Sequence, residues 1–177
     1  MDSDRELIES ANKGDSRAFE ALYYRYRDWV YRLALRFTSN QQDALDVVQE
    51  TFIYLLGKFP GFELTASMTT FLYPAVRHIS ATIRSKNRRF LAEKDATSEP
   101  VAPAAGQDDQ DRSELSIVLV TLPDEQREVV LMRFVDDMSL NEIVAALNIP
   151  LSTVKSRLYH ALEKLRQDNQ TRHYFLE

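Results

Sequence analysis

The chain contains no cysteine. That single absence excludes disulfides, thiolate metal sites, iron–sulfur clusters and cysteine nucleophiles, and it fits a reducing compartment. Glycine is scarce, at 4 of 177 residues. A glycine-rich phosphate loop or a turn-rich β fold is therefore not expected. Long apolar runs are missing as well. The longest, at 52–56 and 143–147, are five residues each, against the roughly 20 that a membrane-spanning helix needs. The opening MDSDRELIES is charged throughout, so no signal-peptide stretch is expected there. The three histidines, at 78, 160 and 173, are too scattered for a ligand motif. No triad spacing, zincin motif or phosphate loop is present. These absences argue against an enzyme and against a metal or other cofactor.

What is present is charge, unevenly placed. The formal net charge is −5. Yet residues 64–92 contain no acid and carry Arg77, Arg84, Lys86, Arg88 and Arg89, and residues 152–167 are net +3. The rest of the chain must then hold −13. Two basic islands in an acidic chain suit two separate contacts with a polyanion. Taken alone, they suit two solvated helix faces equally well.

Apolar residues recur at helical spacing nearly everywhere, which predicts an all-α protein. A short first helix around Leu7, Ile8 and Ala11 precedes a long one capped by Asp15 or Ser16. The stripe of the second is Phe19, Leu22, Tyr23, Tyr26, Trp29, Val30, Leu33 and Phe37. Asn40, with Asp43 three residues on, opens a third helix that turns Ala44, Val47, Val48, Thr51 and Leu55 inward and ends near Gly57, Pro60 and Gly61. A fourth is expected over about 67–90, with a kink or a late start at Pro74. Residues 91–112 hold Pro100, Pro103, Gly106 and six acids with little aliphatic bulk, the composition of an acidic linker. Helical spacing resumes at Leu115, and Pro123 suits a first helical position. The expected organisation is two small helical domains, 1–90 and 113–177, joined by the linker 91–112.

The sharpest local pattern is SLNEIVAALNIPLSTVKSRLYHALEKLR, residues 139–166. Ser139 and Glu142 form a capping box, Asn148 suits the left-handed residue that ends a helix, and Pro150 forbids continuation. Ser152 or Thr153 can cap a second helix with the stripe Val154, Leu158, Ala161, Leu162 and Leu165. Two short helices around a tight turn make a helix-turn-helix, whose second helix enters the major groove N-terminus first. Ser152, Thr153, Lys155, Ser156, Arg157, Tyr159 and His160 then face outward, types that bond base edges and phosphates.

The longer segment TLPDEQREVVLMRFVDDMSLNEIVAALNIPLSTVKSRLYHALEKLR, residues 121–166, resembles region 4 of bacterial RNA polymerase sigma factors. DALDVVQETFIYLL, residues 43–56, resembles region 2 of the same family. Two such regions around a short linker resemble the extracytoplasmic-function (ECF, group IV) subfamily of the sigma-70 family. The resemblance implies a cytoplasmic, non-enzymatic initiation factor whose partners are core RNA polymerase, through the clamp coiled coil of its largest subunit and its flap, and promoter DNA. An anti-sigma factor is a further partner habitual in the family. It assigns polymerase binding to Asp43, Asp46, Val47, Gln49, Glu50 and Phe52. It assigns −10 recognition and melting to loop 61–69, with Phe62 as a stacking ring, and to Arg77, His78, Thr82, Arg84, Lys86, Arg88 and Arg89. The −35 element falls to Lys155, Ser156, Tyr159 and His160, with Ser152, Thr153 and Arg157 as phosphate partners. Three positions depart from the family pattern: His78 stands where Asn is usual, Pro74 where a basic residue is common, and His160 where Arg is frequent. The competing readings are a regulator with a helix-turn-helix and a helical sensing domain, and a pure protein-interaction bundle. The first has no reason to contain DALDVVQETF, and the second leaves the acid-free run unexplained.

Overall fold

A computed structural model describes residues 2–94, 119 and 121–167. Among these residues there are seven α-helices and no strand. The chain divides into two compact units, Met1–Ala104 and Ala105–Glu177.

The first unit contains α1 (Asp4–Asn12), α2 (Ser16–Thr38), α3 (Gln41–Leu56) and α4 (Met68–Lys94). Each start has a local cause. Ser3 and Glu6 close a capping box on α1, and the Ser3 backbone N–H, followed by its hydroxyl, holds the Glu6 carboxyl below the ordinary glutamate range. Asp15, rather than Ser16, caps α2, and Asn40 caps α3 through the Asp43 N–H at 3.0 Å. Helices α2, α3 and α4 pack on one another and α1 packs on α2. Leu22, Val30, Leu33, Ala44, Val47, Leu55, Leu72 and Val76 fill the centre. The aromatic members of the α2 stripe are only partly buried, and the smaller aliphatics go deepest.

Pro74 neither delays nor ends α4. The helix starts at Met68, six residues earlier, behind Ser67, whose hydroxyl accepts the Thr70 N–H. Pro74 lies on the exposed side, where the lost donor is cheapest. The helix also runs to Lys94 rather than 90, which takes the first four residues from the expected linker. The remainder of that stretch, 95–112, lies outside the described residues.

The second unit contains α5 (Asp124–Phe134), α6 (Leu140–Leu147) and α7 (Leu151–Gln167), with α7 packed on both others. Its core joins Leu119, Leu122, Val130, Ala161 and Leu165, with Leu131, Leu158 and Leu162 against them. Pro123 is the N-cap of α5 and not its first residue; its carbonyl accepts from Gln126 and Arg127. The turn before α6 uses Asp137 in the left-handed region, φ 53, a conformation that Asp tolerates better than most.

Candidate functional site

The helix-turn-helix forms as its sequence dictates. The Ser139–Glu142 capping box is closed in both directions, and Asn148 ends α6 at φ 52. Neither Ser152 nor Thr153 caps α7, which begins at Leu151 with the Pro150 carbonyl accepting the Thr153 and Val154 N–H groups. Proline's fixed φ preorganises the entry, so no side-chain cap is required.

On α7 the buried residues Val154, Ala161 and Leu165 lie on one side. Ser152, Lys155, Ser156, Tyr159 and His160 are exposed on the other, Tyr159 to 64%. The rings of Tyr159 and His160 meet edge to face, 5.5 Å between centroids. Arg157 does not belong to this arc. Its side chain is 22% exposed and its guanidinium is 2.5 Å from Glu125 on α5. Its position in the helix turns it toward the flank, so it ties α7 to α5 rather than standing ready for a phosphate. Lys164 is likewise engaged, donating to the Thr121 carbonyl at 2.6 Å. Thr153 is partly buried.

In the first unit the basic helix α4 presents two adjacent stripes. Arg77, Arg84 and Arg88 recur at seven and four residues, and His78, Thr82, Lys86 and Arg89 at four, four and three. All seven are exposed, opposite the buried Leu72, Val76 and Ser80. Arg84 donates to the Phe37 carbonyl at 3.1 Å, closing the C-terminal turn of α2. Thr82 donates its hydroxyl to the His78 carbonyl, leaving the oxygen as an acceptor.

Phe62 is a correction. The expectation of a free stacking ring fails, because the side chain is 7% exposed. Its ring packs on Phe59 and Phe71, with centroids at 5.5 and 4.7 Å, and Phe59 continues the series to Phe19. A loop aromatic lacks the periodicity that distinguishes core from surface, and burial of a large ring wins. The exposed part of the loop is Gly61, Glu63, Thr65 and Ala66.

On α3, Asp46, Gln49 and Glu50 are exposed as expected. Val47 and Phe52 are not available to a partner, since both are buried in the unit's core. The outer face instead carries Leu45, Ile53 and Leu56, each 53% exposed, beside Gln49. Asp43 is half-committed, accepting from Asn87 of α4 at 2.8 Å. The outer face of α3 is thus an apolar stripe edged by carboxylates.

Among the described residues no group of three or more His, Asp or Glu could hold a metal ion, and no helix is long and apolar enough to cross a membrane.

The family profile for Sigma-70 region 2 matches residues 22–90, and that for Sigma-70 region 4 matches residues 118–167. The ECF RNA polymerase sigma factor SigW of Bacillus subtilis is 30% identical, over 92% of this chain and 95% of its own. The chain belongs to the ECF group of the sigma-70 family. This sigma factor is therefore an initiation factor and not an enzyme, directing promoter transcription with core RNA polymerase. The RNA polymerase sigma-H factor of Pseudomonas aeruginosa is 25% identical over 93% of both chains. Among solved structures, CnrH in complex with the cytosolic domain of CnrY shares the fold, with TM-score 0.66 and 23% identity over 92% of this chain and 94% of that one.

Proposed function

We propose that this sigma factor divides promoter reading between its units. The outer arc of α7, Ser152, Lys155, Ser156, Tyr159 and His160, reads the −35 element in the major groove. Loop 61–69 and the exposed stripes of α4 read and open the −10 element, with Lys86, Arg88 and Arg89 on phosphates. The outer face of α3, Leu45, Asp46, Gln49, Glu50 and Ile53, docks on the clamp coiled coil of the largest polymerase subunit, and the second unit meets the flap. The cytoplasm, where the polymerase works, is the site of action. The observation that carries this reading is the α7 arc: five reading-type side chains exposed on one face, opposite the core, directly after a left-handed turn.

Charge explains why such a protein needs core enzyme. Nonspecific DNA affinity comes mainly from counterion release by aligned cations. Here the islands supply +5 and +3 against −13 elsewhere, and Arg84, Arg157 and Lys164 are already bonded within their units. The purified protein should bind promoter duplex poorly at physiological salt and form specific, initiation-competent complexes when core polymerase is added. Mobility shift and run-off transcription, with and without core, check this. Tight, sequence-specific binding by the free protein would instead favour an ordinary repressor or activator.

A further inference from the structure

The loop that follows α3 is held by a residue some fifty positions away. Asn12 is the last residue of α1. Its Oδ1 accepts the backbone N–H of Gly61 at 2.7 Å and of Phe62 at 3.0 Å, and its Nδ2 donates to the Phe62 carbonyl at 2.9 Å. Gly61 sits at φ +99, a conformation open to glycine and costly for other residues, and it lets two successive N–H groups converge on one oxygen. Below them the Phe62 ring is locked between Phe59 and Phe71. The far end of the loop is also fixed, through the Ser67 hydroxyl and the Thr70 N–H. Glu63, Thr65 and Ala66 project from between these two anchors.

Helix α1 is itself secured at its other end. Asp4 accepts from the Tyr26 hydroxyl and, at 2.5 Å, from the Arg25 guanidinium, and Arg25 also reaches the Asp2 carbonyl. The helix is therefore a strut from the middle of α2 to the start of the loop. It lies wholly before residue 22, where the match to region 2 begins.

We propose that Asn12 is a positioning residue for −10 recognition, and that α1 belongs to the −10 reader through it. The inference rests on the assignment of loop 61–69 to the −10 element made above. A short loop discriminates among bases only when its contacts are presented in one arrangement, and the Asn12 amide holds the start of this one.

The test uses the full chain with core polymerase, on a promoter from which the wild-type holoenzyme initiates. Single-base changes are made in the −10 and −35 elements and initiation is scored for each. Asn12→Ala removes all three bonds and should cut discrimination among −10 variants on the order of tenfold, with −35 discrimination and core affinity unchanged. Asn12→Asp keeps both accepting bonds but sets a carboxylate oxygen against the Phe62 carbonyl, so it should fall between wild type and Asn12→Ala. Wild-type −10 discrimination in Asn12→Ala, or an equal loss at −10 and −35, would overturn the assignment and leave Asn12 a structural residue only. Thr65→Ala and Glu63→Ala separate the two levels. If neither alters −10 discrimination, the loop is not the reader and both proposals fall; if either does while Asn12→Ala does not, only the Asn12 assignment falls.

Discussion

The two units, which we propose both present side chains to DNA, are held together with different resources. The first surrounds a core of three mutually packed helices, and the loop after α3 is pinned from beneath by aromatic rings and from the side by Asn12. Among its described residues the second has three helices of known extent and a smaller core, and it adds polar ties that cross from α7 to the rest: Arg157 to Glu125 and Lys164 to the Thr121 carbonyl. Cations that look alike in sequence therefore divide into two occupations. Lys155 faces solvent, while Arg157, two residues on, braces the helix that carries it. A count of basic residues overstates how many are available to DNA in either unit.

That contrast is most severely tested by cutting the core. Leu165→Ala and Leu22→Ala should each cost about 2–5 kcal/mol. A domain as small as the second unit rarely holds more than about 3–5 kcal/mol, whereas a unit near 100 residues has about 5–15 kcal/mol. Leu165→Ala should therefore unfold α5–α7 and abolish −35 dependence while the first unit stays folded. Leu22→Ala should leave both folded with a lower midpoint. Circular dichroism through a urea titration reads both outcomes, and equal tolerance of the two substitutions would erase the distinction.

Next in size is the free arc itself. Lys155→Ala or Tyr159→Ala should relax preference at individual −35 positions by roughly 1–3 kcal/mol, scored on a promoter-variant panel; a flat loss across all sequences would move that residue to the phosphate backbone. On the first unit, joint reversal of Asp46 and Glu50 to Lys should weaken core-polymerase binding on the order of tenfold through slower association, with helicity intact. Unchanged binding would reduce the carboxylates to a solvated edge. Smaller again is the brace. Arg157→Ala should lower the stability of the second unit by about 0.2–1 kcal/mol, the range of an ion pair whose carboxylate is solvated, and a double-mutant cycle with Glu125→Ala should recover that coupling. A uniform loss of DNA affinity without loss of stability would restore Arg157 to phosphate contact.

The least visible effect at neutral pH lies at the base of α1. Burial, and then the hydrogen bond to Asp4, push the Tyr26 phenol above its ordinary value of 10.0. The folded state thus holds that proton more tightly than the unfolded chain does. Its contribution to stability is complete below pH about 10 and is lost as pH rises beyond it. Tyr26→Phe should flatten the alkaline slope of the unfolding midpoint, and an unchanged slope would assign it to other groups.

Much of this was legible because it is local. The capping box at Ser139, the cap at Asn40, the start of α2 at Asp15 or Ser16, and the left-handed Asn148 each depend on residues within a turn of one another, so spacing reveals them. The acidic edge of α3 and the arc of α7 follow from helical periodicity. What stayed hidden joins residues distant in sequence: Asn12 with Gly61 and Phe62, Arg84 with the Phe37 carbonyl, Arg157 with Glu125. Such bonds leave no period, and a basic side chain aimed at a backbone carbonyl reads like one aimed at DNA. Phe62 was misjudged for a related reason, since a loop offers no stripe to say which ring turns inward. Val47 and Phe52 belong to the buried side of the α3 period, and a motif that spans a whole helix does not say which of its residues touch a partner.

The stripe of Leu45, Ile53 and Leu56 bears on how much of this protein a cell can hold. On the docking proposed for α3, the unbound chain is the form that exposes this apolar surface and is the more prone to self-association. Supply in excess of free core enzyme would then be self-limiting, and copy number would follow the polymerase pool rather than the rate of synthesis.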